Sequence, residues 1–412
     1  MSTKQKSFLS VAFILVTLSM LCQNVATQMM NTTLSPFASY MWNSKTMGGL
    51  LTSFFNIGSI VMAFFSGPLV EKIGKKASII LFSLLYGVST LLFVFMPTES
   101  ASLAARVLQG VAKGVIMVAC ASVVADVTPD EQMNQGMGIF GLGATLAMAF
   151  GPMLGLNLIG PDNNYSRMFI GCAIIVSFGA AFALGINYKP KQREQKEETV
   201  TREYKGIWKL IEKKALLPAV NYTIFFASFA CILVFITVYA QEMLKLPATQ
   251  ISLFYTVAAA TMLVVRLFAG KLADKYGELI VIIPGHLAIM IALIVLAFFC
   301  NKPGGATYPL FLLCGGMYGI GSACCQPAMN SIAVVDSPAD RSSIANATFY
   351  FMMDFGILFS SSVFGGVIDR AVDLATGYRV TYLASFGICI LSLLMAVFLL
   401  NRKARSKRAM KQ

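Results

Sequence analysis

The chain has 412 residues, 57% hydrophobic and only 12% charged, with a formal net charge of +13. Soluble globular domains carry roughly 25% charged residues, and here the apolar residues come in runs of about 20, enough to cross a hydrocarbon core of about 30 Å. The surplus positive charge sits in short segments between those runs, which is the pattern of positive-inside loops and excludes nucleic acid as the partner.

Twelve helical spans are predicted, near 8–30, 45–66, 77–96, 103–126, 136–158, 167–187, 217–240, 250–270, 279–300, 308–332, 342–366 and 379–401. The first follows a short basic tail; it is too long for a signal peptide and shows no small-residue cleavage site, so it reads as retained. It carries the amides Gln23, Asn24 and Gln28. Between spans two and three lies Gly67-Pro-Leu-Val-Glu71-Lys72-Ile-Gly74-Lys75-Lys76. Its glycines are expected to let two backbones approach, and its charges mark where the membrane ends.

Span four carries Arg106 and, two turns on along a similar face, Lys113. A cation at mid-span costs at least several kcal/mol unless it finds water or a partner. Lys113 is therefore expected to face a cavity, where it serves substrate or proton coupling or stands in a structural ion pair. In span five, Gly151-Pro152 removes a backbone hydrogen bond and invites a bend, with Gly155 one turn on. The one long polar segment runs from about Tyr188 to Ala215. Its first part reads as a solvated linker, and Tyr204–Lys214 as more linker or as a surface helix anchored by Trp208.

Span seven offers Phe225, Phe226 and Phe229, and span ten Tyr318, for core packing or for stacking an aromatic substrate. Arg266 sits one turn before Gly270, where the charged turn recurs as Gly270-Lys-Leu-Ala-Asp274-Lys275-Tyr-Gly277. His286, the only histidine, reads as structural. Gln326 and Asn330 in span ten are, like the amides of span one, helix-to-helix hydrogen bonders or substrate contacts. Asp354 is the one acid near the middle of a span. A carboxyl group in low dielectric can load and release a proton near neutral pH, which makes it the first candidate for proton coupling. The nine cysteines fall within or at the edges of apolar runs, without the spacing of a disulfide framework or of zinc ligands. No metal or cofactor is expected.

Two echoes indicate a parallel duplication: Gly67 and Gly270 lie 203 residues apart, and Pro129 and Pro338, each ending a span, 209 apart. The expected organisation is an all-α membrane protein with an N-terminal six-helix bundle over 1–187, a linker over 188–215 and a C-terminal six-helix bundle over 216–412. Of the 32 lysines and arginines, the expected outer loops hold only Lys45, Arg167, Lys245, Lys302, Arg370 and Arg379. That asymmetry places both termini in the cytoplasm.

The charged turn, its repeat, Leu103-Ala-Ala-Arg106-Val-Leu-Gln109-Gly110 and the glycines of span five resemble the major facilitator superfamily. Within it they are similar to the twelve-span drug:proton antiporter group that includes multidrug and metallophore exporters. The chain departs by Glu71 for the usual Asp, Lys72 for the usual Arg, and Ala147 and Leu156 where glycines are common. The resemblance implies two pseudo-symmetric bundles with spans one, four, seven and ten around a cavity. It also implies a conformational latch involving Gly67, Glu71, Lys72, Gly74, Lys75, Asp274 and Arg266, and an antiport helix marked by Gly151, Pro152 and Gly155. The substrate and coupling candidates are then Arg106, Lys113, Asp354, Gln23, Asn24, Gln326 and Asn330. The function implied is proton-coupled efflux of a small organic molecule by a monomer in the cell membrane. The alternative is uptake of a small anionic or zwitterionic solute. No Ser/His/Asp set, metal cluster or phosphate loop supports an enzyme.

Overall fold

The computed structural model describes residues 10–129, 132–188, 211–300, 303–304, 307–338 and 341–409. Trp208 and the surface helix considered around it lie outside the described residues, as does the side chain of Asp274. Among the described residues the structure is twelve α-helices: α1 Val11–Trp42, α2 Lys45–Ile73, α3 Lys75–Phe95, α4 Glu99–Val127, α5 Met133–Ile159, α6 Tyr165–Leu184, α7 Lys213–Glu242, α8 Ala248–Tyr276, α9 Leu279–Phe298, α10 Thr307–Val335, α11 Ser342–Arg370 and α12 Leu374–Ala409. Eleven are long and apolar enough to cross a membrane, and a bent α2 makes twelve if its two arms count as one span. A helix keeps every backbone hydrogen bond within its own segment, which hydrocarbon demands. The expected spans recur in order, but α1 runs on to Trp42 and α12 to Ala409. Hydropathy marks the apolar stretch and says nothing of where backbone hydrogen bonding stops.

The helices cluster into two compact units, one of 1–34 with 54–199 and one of 35–53 with 200–412. The segment Ser35–Ser53, the end of α1 and the start of α2, thus packs with the C-terminal helices rather than with its own half. In the first unit α3 packs on α4 and α6, and α5 on α6. In the second, α7 packs on α11 and α12, and α10 on α8 and α9.

The duplication is visible in the backbone. Gly74, between α2 and α3, has φ 93°, and Gly277, between α8 and α9, has φ 91°. An L side chain is strained there, so both turns need glycine for conformation. The expectation that Gly67 and Gly270 bring backbones together is corrected: a Cβ added at either meets nothing within 4 Å. The close approach lies elsewhere. A Cβ at Gly110 on α4 would sit 2.0 Å from the carbonyl oxygen of Phe55 on α2, and one at Gly319 on α10 would sit 2.4 Å from that of Ala258 on α8. Gly110 and Gly319 are 209 residues apart and Phe55 and Ala258 are 203 apart, the same offsets as in the sequence echoes. Both units are locked by the same small-residue helix crossing.

Candidate functional site

Within the first unit, the polar groups of α1 and α4 meet. Lys113, partly exposed, donates from Nζ to Asn24 Oδ1 at 2.5 Å. Two turns away along α4, Arg106 is fully buried. Its Nη1 donates to Gln109 Oε1 at 2.9 Å and its Nη2 to Asn31 Oδ1 at 3.2 Å, while its guanidinium carbon stands 4.3 Å from the centre of the Phe55 ring. Gln109 in turn donates to Thr90 on α3 at 2.9 Å. Arg106 therefore ties α1, α3 and α4 together. Gln23 is buried, and neither end of its carboxamide has a partner among the described residues.

The charged turn makes its contacts inside the first unit. Lys75 pairs with Asp126, at the end of α4, at 2.5 Å. Asp126 also takes a hydrogen bond from Tyr188, whose phenol is pushed above its ordinary range by burial and by that neighbouring carboxylate. Glu71 is exposed, and with Gly74, Lys75, Lys76, Asn187 and Tyr188 it lines a cavity of about 730 Å³. Lys72 is exposed in the last turn of α2. In α5, a Cβ at Gly151 would come within 2.5 Å of Gln28 Cβ and 3.0 Å of the Val25 carbonyl oxygen, so this glycine seats α5 against α1. Gly155 lies over Met29 and Thr33 of the same helix. Pro152 falls inside a continuous α5.

In the second unit, Arg266, Gln326 and Asn330 line one cavity of about 750 Å³ between α8, α9, α10 and α11. Arg266 Nη2 donates to Gln326 Oε1 at 3.3 Å, and Asn330 Nδ2 to Asn346 Oδ1 at 2.9 Å. Arg266 thus lines one cavity with Gly270 and Gly277 of the charged turn and with the amides of α10. Asp354 is partly exposed on α11. Phe225, Phe229 and Tyr318 are buried in a ring cluster, with Phe229 5.6 Å from Tyr318, and so serve packing. His286 is buried between Ile282 O at 2.9 Å and Ser392 Oγ at 3.0 Å, as a structural histidine should be. Cys324 lines the cavity whereas Cys325 lies 3.5 Å from His286, so the adjacent thiols point apart.

Two acidic groups escaped the sequence reading. Glu242 at the end of α7 takes Lys45 Nζ at 3.1 Å and Ser39 Oγ at 2.6 Å. Asp369 at the end of α11 accepts from the backbone N–H groups of Lys45 at 2.8 Å and Thr46 at 2.6 Å, and so caps α2. A carboxylate at a helix N-terminus meets unsatisfied N–H groups and the positive end of the helix dipole. Lys45, counted as a loop cation, is buried in this cluster. A third pair, Glu212 with Arg341, is buried where the linker meets α11.

Spanning helices with ionised side chains drawn inside, beside a cavity lined by polar and apolar side chains alike, are what a helical membrane transport protein needs. Comparison with known sequences agrees: the profile described as Major Facilitator Superfamily matches residues 16–361. The Methanocaldococcus jannaschii protein described as uncharacterized MFS-type transporter MJ1560 is 23% identical over 352 residues, 84% of this chain and 88% of its own. Quinolone resistance protein NorA of Staphylococcus aureus is 22% identical over 343 residues, 80% of this chain and 84% of its own. Among solved structures, the nucleoside transporter NupG (D323A mutant) superposes with a TM-score of 0.77 at 14% identity, covering 93% of this chain and 98% of that one. The chain belongs to the Major Facilitator Superfamily: it is a secondary transporter and not an enzyme.

Proposed function

We propose that the chain exports a small organic molecule, drug-like or a metallophore, by alternating access driven by proton entry. Its setting is the cell membrane, as a monomer with both termini in the cytoplasm. The likeness over four-fifths of the chain to a protein named for quinolone resistance supports export. Lys113 carries the site assignment. It is a mid-span cation bonded to a neutral amide, and no carboxylate is paired with it among the described residues. A lysine kept in that state implies water or an anionic solute group beside it, so Lys113 and Asn24 contact substrate, with Gln23 next to them on α1. Arg106, sealed away, positions α1 and α4 for that contact. Asp354 loads and releases the coupling proton.

By family resemblance, Gly67, Glu71, Lys72, Gly74, Lys75, Asp274 and Arg266 form the latch that holds one conformation. The pair of Lys75 with Asp126 keeps that turn in shape while leaving Glu71 exposed for the latching contact. Gly151, Pro152 and Gly155 fit the antiport reading by packing α5 closely on α1. The basic character of Lys113 favours a second reading, uptake of a small anionic or zwitterionic solute through the same site.

The deciding experiment is a solute panel on purified protein in vesicles with an imposed pH gradient. Export requires counterflow of protons and solute; symport in the same direction selects uptake. Lys113→Met should abolish transport in either case. Asp354→Asn should lose gradient-driven transport while keeping exchange, and full proton-driven transport by that variant removes Asp354 from the coupling role.

A further inference from the structure

A buried face of α12 in the second unit carries more hydrogen-bonding capacity than the helices around it use. Tyr378, Thr381 and Tyr382 stand at i, i+3 and i+4, so they share one side of the helix. All three are sealed from solvent, at 1%, 0% and 1% exposure. None of their hydroxyl oxygens has a hydrogen-bond partner among the described residues. The rings of Tyr378 and Tyr382 are near parallel with centres 6.2 Å apart, and Tyr239 of α7 stands edge-on to them at 4.9 Å and 5.4 Å. Tyr239 is itself satisfied, because its hydroxyl reaches the carbonyl oxygens of Leu296 and Cys300. Three residues on along α7, Glu242 Oε2 is buried too. It lies 3.1 Å from Lys45 Nζ without the alignment of a hydrogen bond, and it accepts none among the described residues. Tyr378 is within electrostatic reach of both Glu242 and Asp369. Open polar atoms therefore gather where α7 and α12 pack. Buried side-chain polar atoms in native cores are in large majority paired, to protein or to ordered water. Phenylalanine at 378 and 382 would fill the same space with no hydroxyl to satisfy. A polar cluster of this kind is what internal water fills, each molecule making about three hydrogen bonds to groups that lack a partner.

We infer that the α7–α12 seam of the second unit binds a cluster of internal water, held by the hydroxyls of Tyr378, Thr381 and Tyr382 and continuing to Glu242 Oε2. The carboxylate at the end of α7 is thereby hydrated from inside the unit. This site belongs to the second unit alone and does not depend on what the protein carries or in which direction.

Radiolytic footprinting of the purified full chain reads the site directly, since hydroxyl radicals arise inside a protein only where a bound water stands. Tyr378 and Tyr382 should be oxidised several-fold faster than Phe254 and Phe311, which are as deeply buried but lie in a ring-on-ring contact between α8 and α10. Tyr378→Phe and Tyr382→Phe keep the ring and remove one anchor each. Each should lower the melting temperature by a few degrees and slow oxidation at the tyrosine that remains. The double variant should lose less than the sum of the two, because both hydroxyls hold the same cluster. The inference is overturned if either single variant melts at or above the wild type, as it would were the hydroxyls dry. It is overturned as well if the tyrosines are oxidised no faster than Phe254 and Phe311, or if the two losses simply add. A last arm compares sodium chloride with choline chloride at equal strength. Stabilisation by sodium alone, seen in the wild type and lost in the double variant, would put a cation where water is placed and would equally overturn the inference.

Discussion

Arg341 and Glu212 offer the sharpest stability test. Their side chains are 3% and 4% exposed, and the Arg341 Nε–H donates to Glu212 Oε2. Arg341 Nη2 also donates to the Ile211 carbonyl at 3.1 Å, and the Glu212 backbone N–H donates to Thr348 Oγ at 3.0 Å. The last residues of the linker are thereby fixed to α11. Arg341→Met removes the cation and strands a buried carboxylate, which costs about 3–5 kcal/mol. Glu212→Met strands the guanidinium at similar cost and also loses the cap on α7, where Glu212 Oε1 accepts from the Lys214 N–H at 3.2 Å; a lost cap costs about 1 kcal/mol. The double substitution buries no lone charge and should cost only about the cap. At about 2–4 °C per kcal/mol for a unit of this size, each single variant should melt about 10 °C lower and the double variant a few degrees lower. A thiol-reactive dye reads the unfolding, because eight of the nine free cysteines are buried until the helices separate. The reasoning fails if Arg341→Met melts within a degree or two of the wild type, or if the double variant is as unstable as the worse single one.

The remaining expectations follow from local geometry. Gly110→Ala and Gly319→Ala each force a Cβ onto a carbonyl oxygen and should cost about 1–3 kcal/mol, read as a lower melting temperature; Gly67→Ala, with open space, should be neutral or slightly stabilising on the same assay. Gly74→Ala and Gly277→Ala should each lose about 1–3 kcal/mol through backbone strain alone, so a larger side chain there should cost no more than alanine. Lys75→Met should strand Asp126 at about 1–3 kcal/mol and, with the carboxylate left in place, keep the Tyr188 phenol raised, whereas Asp126→Asn should bring it back only partly, since burial remains; spectrophotometric titration of a Tyr188→Phe difference sample checks this. Asp369→Asn should weaken the capping of α2 and raise proteolytic cleavage near Asn43–Ser44.

Much of the fold was legible because hydrocarbon imposes a blunt rule: about 20 apolar residues make a span, and charge marks its edge. The charged turns were equally legible, since Gly74 and Gly277 occur at the one conformation their position allows. What the sequence hid were contacts between residues far apart in number. Asp369 lies 324 residues from the Lys45 N–H it caps, and Glu212 lies 129 from Arg341. Each looks from the sequence like an ordinary edge charge, and only the packing turns it into a buried or capping group. Arg266 shows the same limit. Its neighbours in sequence are the charged turn, and only the packing adds Gln326 of α10, 60 residues away, to which it donates.

The two units share a scaffold and differ in chemistry, and the repeat offsets show where. At the offset of 209 that pairs Gly110 with Gly319, Arg106 corresponds to Gly315 and Lys113 to Ser322. In the other direction, Gln326 and Asn330 correspond to Met117 and Ala121, and at the offset of 203 Arg266 corresponds to Ala63. The glycine crossing that holds α4 on α2 and α10 on α8 was kept in both copies, because a Cβ there has nowhere to go. Lys113 occurs in one copy only and, unlike Arg106, ties no set of three helices together, so the demands of the shared fold do not explain it. A mid-span charge that the duplicated scaffold does without, at a cost of several kcal/mol to place in the membrane, is best accounted for by what it binds. Lys113, bonded to Asn24 and without a counterpart cation in the second unit, fits the substrate contact proposed for it.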